Sequence, residues 1–369
     1  MNDIFLPYLK KIDEVLLSCL PEAPSADWRK TSFFPLDGCE NACADACILE
    51  QYLKNLISPC LSLLKLGGKR WRPLLMVLCA QMAHDNGKAA PLSEDEIYSL
   101  SPLVEFAHTA SLIHDDIEDS ADMRRGKPSA HIEYGLDTAL NSASWLYFEA
   151  TTSIESLNAD EAFKNRLYTL YMVLLRRLHF GQAMDIYWHR NPDIFPSVSE
   201  YTQMVRCKTG TLARLAVQLG FMAGGASEEE IEAAGKIAET LGEGFQILDD
   251  TQNLCTGNPG KKRGDDIVEG KKSLPILLHA EETPQDKQKI AHSFERAKKE
   301  GIDSPAVEEC IALLESRGAI TKARESGRKL IAENIHALCT CIHPTEKCTK
   351  NAEGTRLIQL LFSEMTAKM

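Results

Sequence analysis

The sequence predicts an all-α protein, and three observations carry that prediction. Apolar residues recur at three- and four-residue spacing almost without interruption from about Ala46 onward, the signature of helices that bury one face. Strand-like alternation bounded by turn signals is hard to find anywhere in the chain. Gly and Pro fall between the periodic segments, at Gly67-Gly68, Gly126-Lys-Pro128, Asn191-Pro192 and Gly257-Asn-Pro-Gly260, where they punctuate loops. We expect about a dozen packed helices. No repeat at solenoid spacing and no low-complexity linker interrupts them.

Taken in order, residues 1–46 read as an extension: one amphipathic segment (Phe5, Leu6, Leu9, Ile12, Leu16, Leu17), then a loop rich in Pro, Ser and Asp. Residues 47–369 form the main domain. Helical stripes there include Leu53, Leu56, Ile57 and Leu61, then Leu74, Leu75, Leu78 and Met82, and later Leu212, Leu215, Leu219 and Met222. The chemistry-bearing motifs fall between about residues 56 and 280, and residues 281–369 add C-terminal helices.

Composition narrows the function. A chain of 369 residues buries a large core, and 44% hydrophobic with 25% charged residues is ordinary for a globular protein. The net charge of −12 excludes a general nucleic-acid binder. It also means that any anionic substrate is held by a local group of Lys and Arg. No apolar run spans a bilayer, and the early Asp3 without a basic start is unlike a secretory signal. Twelve cysteines in a chain this long fit a reducing cytoplasm better than a disulfide framework. Cys39, Cys43 and Cys47 suggest an iron–sulfur triplet, but the last spacing is one residue too long. Cys339, Cys341, His343 and Cys348 have zinc-ligand types without paired chelating hooks. Neither is adopted.

Four places concentrate chemistry. In Gly67-Gly-Lys-Arg-Trp-Arg-Pro73, two glycines allow close backbone approach. Lys69, Arg70 and Arg72 cannot neutralise one another, so they face solvent or bind anions. In His108 through Asp119 an apolar helical run closes on Asp115, Asp116 and Asp119, with Asp115 and Asp119 on one face. Crowded acids need solvent, cationic partners or a hard divalent cation. Arg124, Arg125 and Lys127 follow at once, a pattern that also suits a structural salt-bridge network. Lys208-Thr-Gly210 lies inside a helical segment running from Tyr201 to Leu219. Finally, Gly244-Phe-Gln-Ile-Leu-Asp-Asp-Thr-Gln-Asn253 repeats the acidic pattern, with Asn253 one turn beyond Asp249. Lys261, Lys262, Arg263 and Gly270-Lys-Lys272 supply another basic loop. Two acidic helix ends, each trailed by cations, describe a site where Mg²⁺ bridges carboxylates and a diphosphate.

These motifs, in this order, resemble the trans-prenyltransferases, the head-to-tail isoprenyl diphosphate synthases. The resemblance spans about Leu56 to His279 and includes Gly68-Lys-Arg-Trp-Arg-Pro73, His108 to Gly126, Gly181-Gln-Ala-Met-Asp185 with Trp188, Lys208-Thr-Gly210, and Phe245 to Asp250 with Gly270-Lys271. It implies a single large helical bundle of the isoprenoid synthase type with a central cavity, and in many members a homodimer. By the same resemblance Asp115, Asp116 and Asp119, with Asp249, Asp250 and Asn253 opposite, hold Mg²⁺. Lys69, Arg72, His108 and Arg125 match the binders of isopentenyl diphosphate. Arg124, Lys208, Thr209, Gln246, Lys261 and Lys271 match the allylic side, and Lys208, Thr209 and Gln246 also stand beside the reacting cation. No protein nucleophile is needed. Ala110 and Ser111, just before the first acids, leave open a wall that short-chain members close with an aromatic ring, and Phe106 lies one turn deeper as a floor. A product of twenty carbons or more is expected.

Three departures stand out: Asn253 where many members have Asp, Asn141-Ser-Ala-Ser144 where the family carries a Gly-Asp pair, and the terminal regions outside the motifs. They leave a rival, a non-catalytic partner subunit that keeps the fold. A class I terpene cyclase also ionises a diphosphate, but it has no use for a second anion site at Lys69, Arg72 and His108. A helical scaffold with merely solvated acids leaves the joint occurrence of the motifs unexplained.

Overall fold

The computed structural model describes residues 2–33, 46–85, 87–257, 262–341 and 353–367. The expected class holds: apart from one two-stranded hairpin, the regular structure described is helical. The chain divides into two compact units, residues 1–171 with 219–225, and residues 172–218 with 226–369. Packing therefore divides the chain elsewhere than at residue 46, where the motif content changes.

In the first unit, α1 (Leu6–Cys19), α2 (Ala26–Phe33), α3 (Ala46–Lys65), α4 (Trp71–Asp85) and α5 (Glu94–Ser99) precede α6 (Ser101–Glu118). After α6 come β1 (Met123–Arg124), β2 (Lys127–Pro128), α7 (Ala130–Tyr134), α8 (Leu136–Glu149) and α9 (Thr152–Glu155). The long α10 (Glu161–His189) carries the chain into the second unit. α6 is the core element, buried along most of its length and packed by α1, α3, α4 and α8. The extension is therefore no appendage. Phe5, Ile12, Leu16 and Leu20 are fully buried, and Trp28 and Phe33 of α2 meet Trp145 of α8 with ring centroids 6.4 Å apart. The Asn141–Ser144 departure has a packing account. Ser142 Oγ donates to Leu56 O at 2.5 Å and lies 3.0 Å from Cys60 Sγ, tying α8 to α3. Ser144 Oγ reaches His114 Nε2 of α6 at 3.3 Å.

The second unit holds α11 (Val198–Val205), the start of α12 (Thr211–Ala223), α13 (Glu228–Cys255) and α14 (Asp265–Glu269). It continues through α15 (Leu274–Glu282), α16 (Lys287–Glu300), α17 (Pro305–Ser316), α18 (Ala319–Thr340) and α19 (Glu353–Thr366). α13 is its axis, packed mainly on α18. Capping boxes readable as Ser-x-x-Glu start α5, α11 and α13, at Ser93/Glu96, Ser197/Glu200 and Ser227/Glu230. The eight described cysteines outside 46–49 are all free thiols. Cys39, Cys43, His343 and Cys348, and the side chain of Cys47, lie outside the described residues. No described helix is long and apolar enough to cross a membrane.

Candidate active site

The first acidic cluster is placed by the way α6 stops. Ser120 takes φ +55°, its N–H bonds Ile117 O at 3.3 Å, and the Ala121 N–H returns to Asp116 O at 2.8 Å. That is a Schellman ending with Ser in the left-handed position. It leaves Asp115 and Asp116 in the last turn and Asp119 as the cap, at the negative end of the helix dipole, where acids are least welcome without cations. The hairpin supplies one. Arg124 donates to Asp116 Oδ1 from Nε at 2.8 Å and also from Nη2, and Asp115 lies 3.8 Å away. Asp116 is 1% exposed as a side chain, so Arg124 and Asp116 occupy one another here. Burial raises Asp116 above the usual carboxylate range, against the lowering pull of Arg124. The central residues of the hairpin turn, Arg125 and Gly126, take φ +51° and +78°, a two-residue turn of the primed kind.

Beside it stand three of the residues expected to bind an anion: Arg72, His108 and Arg125. Arg72 Nη1 lies 3.4 Å from His108 Nε2, and Arg125 donates to Gly67 O. Arg72 Nε is buried with no hydrogen-bond partner. Burial, with Arg125 nearby, pushes Arg72 down to about 10. Burial, then Arg72 and Arg125, hold His108 well below the usual imidazole range. Cations held this close with an orphaned donor suit an anion. Lys69 is exposed on the adjoining loop. Arg70, by contrast, does not join that set. It is consumed by Glu105, Asp13 and a backbone carbonyl. Ala110 and Phe106 are fully buried on α6, and Ser111 Oγ donates to His108 O at 2.8 Å.

In the second unit Lys208 and Thr209 sit on a π-helical turn, Arg206–Gly210, between α11 and α12. Single π turns inside helices recur at functional sites. Close backbone packing forces this one: a methyl at Gly210 would lie 2.7 Å from Glu239 O, and one at Gly242 would lie 2.6 Å from Gly210 Cα. Lys208 is thereby aimed at Asp185 Oδ2, 2.6 Å away. Thr209 Oγ1 donates to Gln246 Oε1 at 2.8 Å, Gln246 Nε2 donates to Asp250 Oδ1 at 2.8 Å, and Tyr201 OH donates to Asp250 Oδ2 at 2.8 Å. The Thr209 and Gln246 oxygens are thus linked to each other rather than standing apart as separate dipoles. Lys271 pairs with Glu269 at 2.6 Å. Lys261 lies outside the described residues.

The second acidic cluster differs from expectation in two ways. It is not at a helix end, because α13 continues to Cys255. Asn253 also does not face out as an oxygen ligand. It is fully buried, and its Oδ1 accepts the Asp266 N–H at 3.2 Å. The acid that joins Asp250 instead is Asp266: burial first, then the Asp266 carboxylate, raise Asp250 above the ordinary carboxylate range. Asp266 had a signal in the sequence, an acid pair inside an otherwise basic loop. Tyr201 had none, since an aromatic at helical spacing reads as core. Asp185 stood in a quoted motif without a role.

Among the described residues, no three His, Cys, Asp or Glu side chains close into a metal cage. Mg²⁺ commonly takes one or two protein carboxylates and fills its octahedron with water and substrate phosphates. Asp115 and Asp119 in the first unit are hard oxygen donors of that kind, and so, taken separately, are Asp249, Asp250 and Asp266 in the second. Each set has the chemistry to take the ion in company with a diphosphate.

Known proteins bear on this geometry. A polyprenyl synthetase family model matches residues 53–314. The geranylgeranyl pyrophosphate synthase penG of Penicillium crustosum is 38% identical over 234 residues, 63% of this chain and 64% of that protein. The geranylgeranyl pyrophosphate synthase paxG of Penicillium paxilli is 34% identical over 244 residues, 66% of this chain and 62% of the relative. The chain thus spans somewhat under two thirds of the length of these relatives. The crystal structure of geranylgeranyl pyrophosphate synthetase from Pyrococcus horikoshii superposes with a TM-score of 0.73 at 25% identity, covering 96% of each chain.

Proposed function

Because the chain belongs to the polyprenyl synthetase family, we propose that it condenses isopentenyl diphosphate with an allylic diphosphate, and that the product is geranylgeranyl diphosphate. The observation that carries this reading is on α6. His108, which with Arg72 forms an anion site, stands seven residues from Asp115, two helical turns or roughly 10 Å along one face. An anion pocket and an acidic, metal-suited cluster on one face call for two diphosphates. That favours a condensing enzyme over a cyclase, which ionises only one. The names of the Penicillium relatives and the small Ala110 support the twenty-carbon length.

Arg72, His108, Arg125 and Lys69 hold isopentenyl diphosphate and keep its double bond near the allylic carbon. Asp115 and Asp119, and likewise Asp249 and Asp250 with Asp266, would hold Mg²⁺, which would supply positive charge to stabilise the leaving diphosphate. Lys208 and Lys271 add cationic contacts to that diphosphate. As the allylic C–O bond breaks, the Gln246 amide oxygen and Thr209 hydroxyl present their dipoles to the carbocation. The double bond attacks, a carbon–carbon bond forms, and the proton lost next to it passes to released pyrophosphate. Ala110 and Ser111 line the growing chain, with Phe106 below. We place the enzyme in the cytoplasm, in keeping with its free thiols. We further propose a homodimer, supported by exposed apolar residues Leu136, Leu140 and Phe148 on α8.

The test is elongation by purified protein with Mg²⁺, labelled isopentenyl diphosphate and allylic starters of increasing length. Geranylgeranyl diphosphate is the expected product, and Ala110→Tyr shifts the distribution to shorter chains. No elongation with any starter sinks the synthase reading in favour of a partner subunit. An unmoved distribution in Ala110→Tyr sinks the wall.

A further inference from the structure

The loop from Gly67 to Arg70 carries Lys69 and leads directly into Arg72, and both of its ends are held by arginines. At one end Arg125 donates to Gly67 O. At the other, Arg70 is turned inward with a left-handed backbone at φ +44°, a conformation uncommon for a bulky residue unless its surroundings enforce it. Its side chain, 5% exposed, is held on three sides. Nε donates to Asp13 Oδ1 at 2.9 Å, Nη1 to Glu105 Oε1 at 2.7 Å, and Nη2 to Leu64 O at 2.6 Å. The Arg70 carbonyl then accepts the Leu74 N–H at 3.1 Å in the first turn of α4, the turn that projects Arg72. Glu105 is buried on α6. Asp13 comes from α1, the amphipathic helix of the N-terminal extension.

We propose that Asp13 is a positioning residue for the anion site: by locking Arg70 against Glu105 it fixes the loop that carries Lys69 and sets the start of the helix that carries Arg72. The inference rests on the reading of that site as the place of isopentenyl diphosphate. It gives the extension a role that its sequence, outside every motif, did not indicate. Asp13 is half exposed, so its charge is screened from a ligand on the far side of Arg70, and its effect runs through geometry. Electrostatics alone acts in the opposite direction, since removing an acid next to a cationic pocket strengthens anion binding.

The two effects separate in Asp13→Ala and Asp13→Asn, compared in the full-length protein. Calorimetry reads binding of isopentenyl diphosphate without Mg²⁺, and steady-state kinetics reads KM for each substrate with Mg²⁺. Asp13→Ala should weaken isopentenyl diphosphate by about three- to tenfold in both, with the allylic KM and kcat within about twofold of wild type. Asp13→Asn, which keeps the acceptor oxygen, should stay within about twofold of wild type. Should the alanine variant fail to fold, Asp13→Ser carries the same expectation. Unchanged affinity in Asp13→Ala, tighter binding in both variants, or equal losses for both substrates overturns the proposal. A wild type that binds isopentenyl diphosphate but elongates nothing removes the proposed function while the binding comparison still decides this point. A wild type that does not bind it removes both.

Discussion

Asn253 illustrates how a single amide can keep the motif spacing and change its job. Its oxygen serves the Asp266 N–H, its Nδ2 is buried without a hydrogen-bond partner, and the side chain has no exposed surface. It holds the turn that brings Asp266 toward Asp250 instead of offering an oxygen outward. Asn253→Asp would bury a further carboxylate beside Asp266 and near Asp250, whose carboxyl is already raised by burial and by Asp266. We expect a loss of about 1–3 kcal/mol in stability, read by denaturant unfolding, with no gain in turnover. Higher activity at lower Mg²⁺ would show instead that this position does reach the metal. Arg124 and Asp116 make the same point from the other cluster. Each was expected to face a ligand, yet in this state each satisfies the other. Under the proposed function, a diphosphate bound there would have Arg124 exchange one oxyanion for another, a smaller cost than leaving a buried charge alone.

At the scale of elements, the decisive feature is a turn that departs from α-helical geometry. At the π turn Arg206–Gly210, Gly210 and Gly242 bring the turn and α13 to backbone contact. Glu243, on α13, braces it by accepting from Arg206 Nε at 2.7 Å and Thr202 Oγ1 at 3.2 Å. Gly242→Ala would drive a methyl against Gly210 Cα, backbone that cannot swing aside as a flexible side chain would. The helices must part, and the Thr209–Gln246 bond with them. Expected outcomes are a loss of about 1–3 kcal/mol in thermal stability and a fall in kcat of about tenfold or more. Lower stability with unchanged kcat would show that the turn only packs.

At the scale of the molecule, an acidic protein of net charge −12 needs local groups of cations to hold an anion. Arg72 and Arg125 form one such group, and the buried Glu105 near it is engaged by Arg70. The exposed apolar residues of α8 belong to this scale too. Phe148 is 65% exposed and Leu136 56%, with Leu140 also exposed on the same helix. The proposed homodimer predicts that wild type sediments at about twice the 41.0 kDa of one chain. Phe148→Asp should shift it toward that single-chain mass. A wild type that stays monomeric at micromolar concentration removes the dimer.

The sequence by itself determined the helical class and the residue types of both acidic clusters. Periodicity and charge crowding are local properties, and a helix preserves their spacing. Part of the candidate site was named through the family resemblance: it grouped Arg72, His108 and Arg125, and the first unit brings those three together. Partnership was not legible. Which cation meets which acid depends on residues far apart in the chain, such as Asp13 with Arg70 or Lys208 with Asp185. Only the tertiary structure decided that Arg70 is structural, that Asn253 turns inward, that Asp266 joins Asp250, and that the extension packs into the first unit. The physical reason is that burial and desolvation, which set the state of a charged group, are properties of the packed neighbourhood and not of the spacing.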